Sequence, residues 1–128
     1  MANIDVGNNI EKQLCNLFQE NGYWVYRMPN GLTGQPCDIV ALKNNKNWLI
    51  DSKHSKSDKF LLSRCEPNQR TTFEYATKYC GIKYCGFAIY FDKIKKFKWL
   101  SFKDIDFNMY RSVSYEEMED LECLIKKI

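Results

Sequence analysis

Three ionisable residues sit in two short apolar stretches near the middle of the chain. Asp38 lies at the start of "CDIVALK", while Asp51 and Lys53 lie at the end of "NWLIDSK". Side chains alternate along a strand, so Asp51 and Lys53, two positions apart, share a face. If Asn44–Asn45 form a two-residue turn, Lys43 opposes Lys46 and Asp38 stands directly across from Asp51. A four-residue turn keeps all three on one face, and a three-residue turn separates them. Like charges opposed on a sheet are destabilising; two carboxylates about 5 Å apart on a half-buried surface raise one pKa or recruit a cation. Mg²⁺ typically takes one or two protein carboxylates while keeping waters and phosphate oxygens. A lysine beside such an ion can orient an attacking water or offset charge on a phosphorane. The chemistry that suits this spacing is metal-assisted phosphodiester hydrolysis. The same residues also fit a plainer use, with Asp38 capping the strand entrance after Pro36 and Asp51 pairing with Lys53 at the surface.

Periodicity outlines the elements that must position these groups. Ile10, Leu14, Leu17 and Phe18 recur at helical spacing until Asn21–Gly22 ends the pattern. "YWVYRM" reads as a strand, "PNGLTGQP" as a loop, and the two apolar stretches around Asn44–Asn45 as a hairpin. "HSKSDKFLLSRCE" has no clean period and reads as an ordered loop. Pro67 suits the first turn of a helix with Phe73, Ala76 and Cys80 on one stripe. "YCGFAIYF" fits a strand covered on both faces, and "IKKFKWL" a strand with one wet face. "SYEEMEDLECLIKKI" begins with Ser114 and Glu117 in capping-box spacing and carries Met118, Leu121 and Ile125 on one helical stripe. The order αβββαββα predicts an α/β fold, a mixed β-sheet flanked by helices. With no repeats or linkers, residues 1–128 are expected to form one domain.

Composition narrows the classes. The chain has 128 residues, 45% hydrophobic and 27% charged, the balance of a folded globular protein. No apolar run approaches the ~20 residues of a membrane span, and the first residues carry no export-signal pattern, so a cytoplasmic protein with reduced thiols is expected. The six cysteines include no CxxC pair, and Cys80, Cys85 and His54 match no zinc-site spacing. A net charge of +3 is weak, but its distribution is uneven: the middle of the chain is basic and "YEEMEDLE" acidic. One face could suit phosphates; any single lysine there could equally be an ordinary solvated side chain.

Pro36–Cys37–Asp38 followed by Asp51–Ser52–Lys53, with a helix before and a strand–helix–strand after, resembles the PD-(D/E)xK nuclease signature. From Glu11 to about Leu100 the chain is most similar to Holliday-junction resolvases of that superfamily, both archaeal-type and the type of Gram-positive bacteria and their phages. It departs from the pattern by inserting Cys37 between proline and aspartate, and by using Asp51 where resolvases commonly have glutamate. The resemblance implies a restriction-endonuclease-like core, αβββαβ, extended here by a strand and a C-terminal helix. It also implies an endonuclease that uses Mg²⁺ or Mn²⁺, acts as a homodimer on four-way DNA junctions, and needs no organic cofactor or membrane. Related nucleases cut flaps, ends or foreign DNA, and an inactive binding module could keep the fold.

The resemblance implies roles for further residues. Glu11 borders the apolar stripe of the first helix and matches a glutamate that reaches the metal; it also fits an exposed first-turn acid. Asp38, Asp51, Glu11 and the Ser52 backbone carbonyl form the implied metal set. Gln69 begins the otherwise apolar stripe of the second helix, where it could meet a phosphate or water or sit at a partly exposed helix end. Arg27 matches a phosphate-contacting arginine, or else stacks on Tyr23 or Trp24. By its own composition, the loop from Asn30 through Gly31 to Gln35 is glycine-rich enough for backbone amides to approach phosphates, and Gly31 and Gly34 equally fit ordinary turn residues; Lys56, Lys59, Arg64 and Arg70 read as a diffuse phosphate surface. His54 points away from the metal face by alternation. No base-reading helix stands out, which favours recognition of DNA structure over sequence.

Overall fold

The computed structural model describes residues 2–29 and 35–128, so the expected DNA contacts Asn30 and Gly31 lie outside the described residues. Helix α1 (Ala2–Glu20) buries Ile10, Leu14 and Phe18, and Gly22 at φ +86° turns the chain toward the sheet. Strands β1 (Trp24–Arg27), β2 (Ile39–Lys43) and β3 (Lys46–Ser55) form an antiparallel meander. Asn44 and Asn45 make the β2–β3 turn at φ 43° and 68°, left-handed conformations that asparagine tolerates and a two-residue hairpin turn demands. That turn sets Lys43 against Lys46 and Ile39 against Ile50, the register the two-residue turn predicts.

Helix α2 (Pro67–Tyr79) crosses over to β5 (Tyr84–Phe91), which runs parallel to β3. β6 (Lys96–Ser101) returns antiparallel to β5, and the described sheet has the order β1-β2-β3-β5-β6-β8, with β8 spanning Glu119–Asp120. Its two faces carry separate cores. On the face beneath α1 and α3 (Leu121–Lys127), Trp48 is fully buried, edge-on to Phe18 at 5.1 Å and to Trp99 at 4.9 Å between ring centroids. On the other face Phe73 of α2 meets Phe87 edge-on at 5.4 Å. Glycine at 86 is required by the close approach of β6: a Cβ there would stand 2.3 Å from the Leu100 carbonyl oxygen. Gly86→Ala should therefore cost about 2–3 kcal/mol by overpacking, read as a lower urea midpoint with an unchanged slope.

Two segments differ from expectation. "HSKSDKFLLSRCE" is not a loop: β3 continues to Ser55, then β4 (Lys59–Leu61) and a 3₁₀ turn (Leu62–Arg64) follow. The Ser55 hydroxyl closes the turn by donating to the Lys59 carbonyl at 2.7 Å, and β4 pairs with β7 (Ser112–Ser114). A three-residue strand with one buried residue, Phe60, is too short for its alternation to register in sequence. At the C-terminus, Ser114 and Glu117 do form a capping box, but it closes a 3₁₀ turn (Tyr115–Glu117). The helix starts only at Leu121, where the Asp120 carboxylate caps it by accepting from the Cys123 amide at 3.0 Å. The expected single stripe is split by β8: Met118 enters the α2-side core, while Leu121 and Ile125 enter the α1-side core.

Candidate active site

The hairpin register carries Asp38 to a position across from Asp51. Asp38 sits one residue before β2, and its amide donates to the Ile50 carbonyl at 2.9 Å, continuing the ladder. Its carboxylate Oδ2 accepts from the Ser52 amide at 2.8 Å and from the Ser52 hydroxyl at 3.2 Å. Asp51, on β3, is only 1% exposed. Its Oδ1 accepts from the Gln69 amide nitrogen at 2.7 Å. Its Oδ2 lies 3.0 Å from Lys53 Nζ, close enough for an ion pair, yet no donor is aligned to hydrogen-bond that oxygen. The contact is therefore mostly coulombic.

Burial first, and the Asp38 charge second, push Asp51 up to about 8, with Lys53 pulling the other way. A sign follows for metal-free protein. Between the ordinary carboxylate value of 3.8 and about 8, the folded state holds a proton that the unfolded chain has lost. Stability from this group is complete below the lower value and falls as pH rises through the upper one. In chelator, the thermal midpoint should drop between pH 6 and pH 8.5, and Asp51→Asn should flatten that drop.

Gln69 is placed by the start of α2. Pro67 occupies the first turn, and the Glu66 amide donates to Gln69 Oε1 at 3.2 Å in a capping box. The two ends of one buried amide thus tie the helix start to Asp51; Gln69 is not a partly exposed helix-end residue. Glu11 accepts from Arg27 Nε at 3.0 Å, and Arg27 also donates to Asn8 Oδ1 at 2.9 Å. Burial, then the Asp38 charge, raise the Glu11 pKa against the pull of Arg27. Arg27 therefore stacks on neither Tyr23 nor Trp24; it pairs with α1. Among the described residues no three His, Cys, Asp or Glu side chains converge on one point. The carboxylate set at the centre is the pair Asp38–Asp51.

The basic residues surround this pair unevenly. A cleft of about 260 Å³ has Glu11 and Ile10 on one side and Ser52, Lys53, His54 and Arg64 on the other. Arg64 donates to the His54 carbonyl at 2.7 Å, and the Arg70 guanidinium lies 3.8 Å from the Phe107 ring centroid. Lys56 and Lys59 are exposed around the β3–β4 turn. His54 pairs with Asp92 at 2.6 Å, outside the acid–lysine group. Sequence reasoning missed three partners: the Ser52 donors, the Glu66 cap and Asn8. Only Glu66 left a trace, three positions before a glutamine beside Pro67.

A mixed sheet flanked by helices, with an acid–acid–lysine set at the β2–β3 hairpin, defines the restriction-endonuclease-like fold of the PD-(D/E)xK nucleases. Within that class the chain belongs to the archaeal Holliday junction resolvase family (Hjc), whose model matches residues 2–126. Membership places it among junction-resolving endonucleases, hydrolases that generally use divalent metals. The fold is similar to that of Archaeoglobus fulgidus Hjc, a Holliday junction resolvase from an archaeal hyperthermophile. The two share 14% identity at a TM-score of 0.72, covering 92% of this chain and 98% of that one. No curated protein sequence matches. Among the described residues no helix is long and apolar enough to cross a membrane.

Proposed function

We propose that this chain is a single-domain, Mg²⁺- or Mn²⁺-dependent endonuclease that cuts four-way DNA junctions as a cytoplasmic homodimer, in a bacterial or phage-infected cell. The observation that carries the reading is Asp51, buried and pressed against Asp38 and Lys53, with one carboxylate oxygen lacking any hydrogen bond. One lysine facing two carboxylates leaves excess negative charge when both acids ionise, which a divalent cation would balance. Asp38, Asp51 and the Ser52 carbonyl would hold the ion, with Glu11, paired to Arg27, at the rim of the site. When bound, Mg²⁺ or Mn²⁺ supplies Lewis-acid polarisation of the phosphate and an acidified water.

The chain's own groups do the rest. Lys53 orients the nucleophile and balances charge that grows on the phosphate oxygens. Gln69 holds Asp51 Oδ1 and leaves Oδ2 beside Lys53, as the outer partners of ligating carboxylates do elsewhere. Arg27, Arg64, Arg70, Lys56 and Lys59 hold the DNA backbone without reading bases. Because one centre cuts one strand, paired cuts in a two-fold substrate call for two copies.

A parallel digest of four-way junction, flap, nicked and linear duplex DNA with Mg²⁺ tests this reading. Paired cuts confined to the junction are expected. Equal cutting of flaps or ends would reassign the substrate, and junction binding without any cutting would make the chain a binding module.

A further inference from the structure

A second cavity lies beside the candidate active site. The end of β4 and the first turn of α2 supply Leu61, Ser63 and Arg70 to it, and the later segment before β7 supplies Phe107, Tyr110 and Arg111. Its volume is about 410 Å³, within the range of ligand pockets, and no carboxylate lines it.

The segment that carries the aromatic residues is firmly held. The Asp106 carboxylate accepts from the Asn108 and Met109 amides at 3.0 and 3.1 Å, and the Asp106 carbonyl accepts from the Tyr110 amide at 3.1 Å. The Leu62 amide donates to the Arg111 carbonyl at 2.9 Å, and Ile105 and Phe107 pack against the α2-side core. Tyr110 is nevertheless 57% exposed and Leu61 53% exposed. Phe107 lies under the Arg70 guanidinium and steadies it without neutralising it. Among the described residues no ion pair engages Arg70 or Arg111.

Two guanidinium groups without carboxylates suit a phosphate, and an open phenol ring beside an aliphatic side chain suits a flat base. Together they describe a site for a nucleotide. Its position selects the source. Gln69 contacts Asp51, and the next residue, Arg70, lines the cavity. Ser63 lines the cavity, and the next residue, Arg64, lines the cleft that holds Lys53. Consecutive residues therefore wall both sites.

We infer that this cavity takes one unstacked nucleotide of the DNA, its base against Tyr110 and Leu61 and its phosphate beside Arg70 and Arg111. A base inside a duplex is stacked on both sides and cannot reach the ring. At a branch point that stacking is interrupted, and a base that is already unpaired costs least to take out. The site rests on the junction-cutting reading and deepens it. Contact with an unstacked base favours branched DNA over duplex, and it reads no sequence because every base has a π-face.

Binding of a synthetic four-way junction and of a plain duplex tests the inference, in chelator so that nothing is cut. The proteins are the full-length native chain, Tyr110→Ala and Arg111→Met, both substitutions at exposed positions that should keep the native circular dichroism. Tyr110→Ala should weaken junction binding on the order of 10-fold, the scale of one lost base–aromatic stack, and leave duplex binding unchanged. Arg111→Met should weaken both, with a salt slope smaller by about 0.9 for one lost phosphate contact. Junctions with a single abasic residue, moved stepwise along each strand from the branch point, locate the base. At one position the native chain should lose the same factor, and Tyr110→Ala should lose nothing further. Native junction affinity in Tyr110→Ala, an equal loss on duplex, or losses that multiply at every abasic position would overturn the site while leaving the junction digest untouched. Micromolar binding of a free deoxynucleoside monophosphate, lost in Tyr110→Ala, would overturn it too, by assigning the cavity to a soluble nucleotide. A native chain that binds junction no better than duplex would overturn both the site and the junction reading beneath it.

Discussion

Asp51→Asn should yield a folded protein whose junction cleavage in Mg²⁺ is lower by at least about 10³-fold, the scale of losing electrostatic stabilisation at a reacting centre. Asparagine keeps the shape and still accepts from Gln69 at the oxygen that now does so. It removes the ionisable acid that opposes Asp38, and with it the proposed metal ligand. The loss should fall on turnover and leave junction binding within a few-fold, because the cations proposed to hold DNA are untouched. Single-turnover cleavage beside a gel-shift titration separates the two. Undiminished cleavage by this variant would remove Asp51 from the chemistry.

Lys53→Met should also cost about 10²–10³-fold in cleavage, but with the opposite effect on stability. Lys53 lies 3.0 Å from Asp51 and is the cation that lowers its pKa. Without it, Asp51 is pushed higher still, and the metal-free fold well above pH 8 should lose about 3 kcal/mol, the cost of holding that acid protonated or leaving its charge buried and unpaired. Asp51→Asn removes that charge, so the double variant should recover stability while remaining inactive. Urea unfolding of the two single variants and the double variant in chelator measures the coupling. Additive stability losses would mean that the lysine and the acid do not act as a pair.

The β2–β3 hairpin was legible because its information is local. Two asparagines tolerate the positive φ that a two-residue turn needs, and strict alternation then fixes which side chains share a face. α1 was legible for the same reason, from Ile10, Leu14 and Phe18 at helical spacing. What failed was short or long-range. β4 and β7 are three residues each and exist through their mutual pairing, which no window of sequence contains. In the C-terminal segment the capping box was present as read, but β8 diverted the chain before the helix could start. The site followed the same rule. Asp38, Asp51 and Lys53 come together within one hairpin, whereas the Arg27–Glu11–Asn8 group and the Gln69–Asp51 bond join elements far apart in the chain.

The account turns on whether Asp38 and Asp51 seat one divalent ion between them, and calorimetric titration of Mn²⁺ into chelator-stripped protein tests this most directly. The native chain should bind with proton release at pH 7, because Asp51 must give up its proton to the ion, and Asp38→Asn and Asp51→Asn should each abolish that uptake. Native affinity for Mn²⁺ in both variants would contradict it.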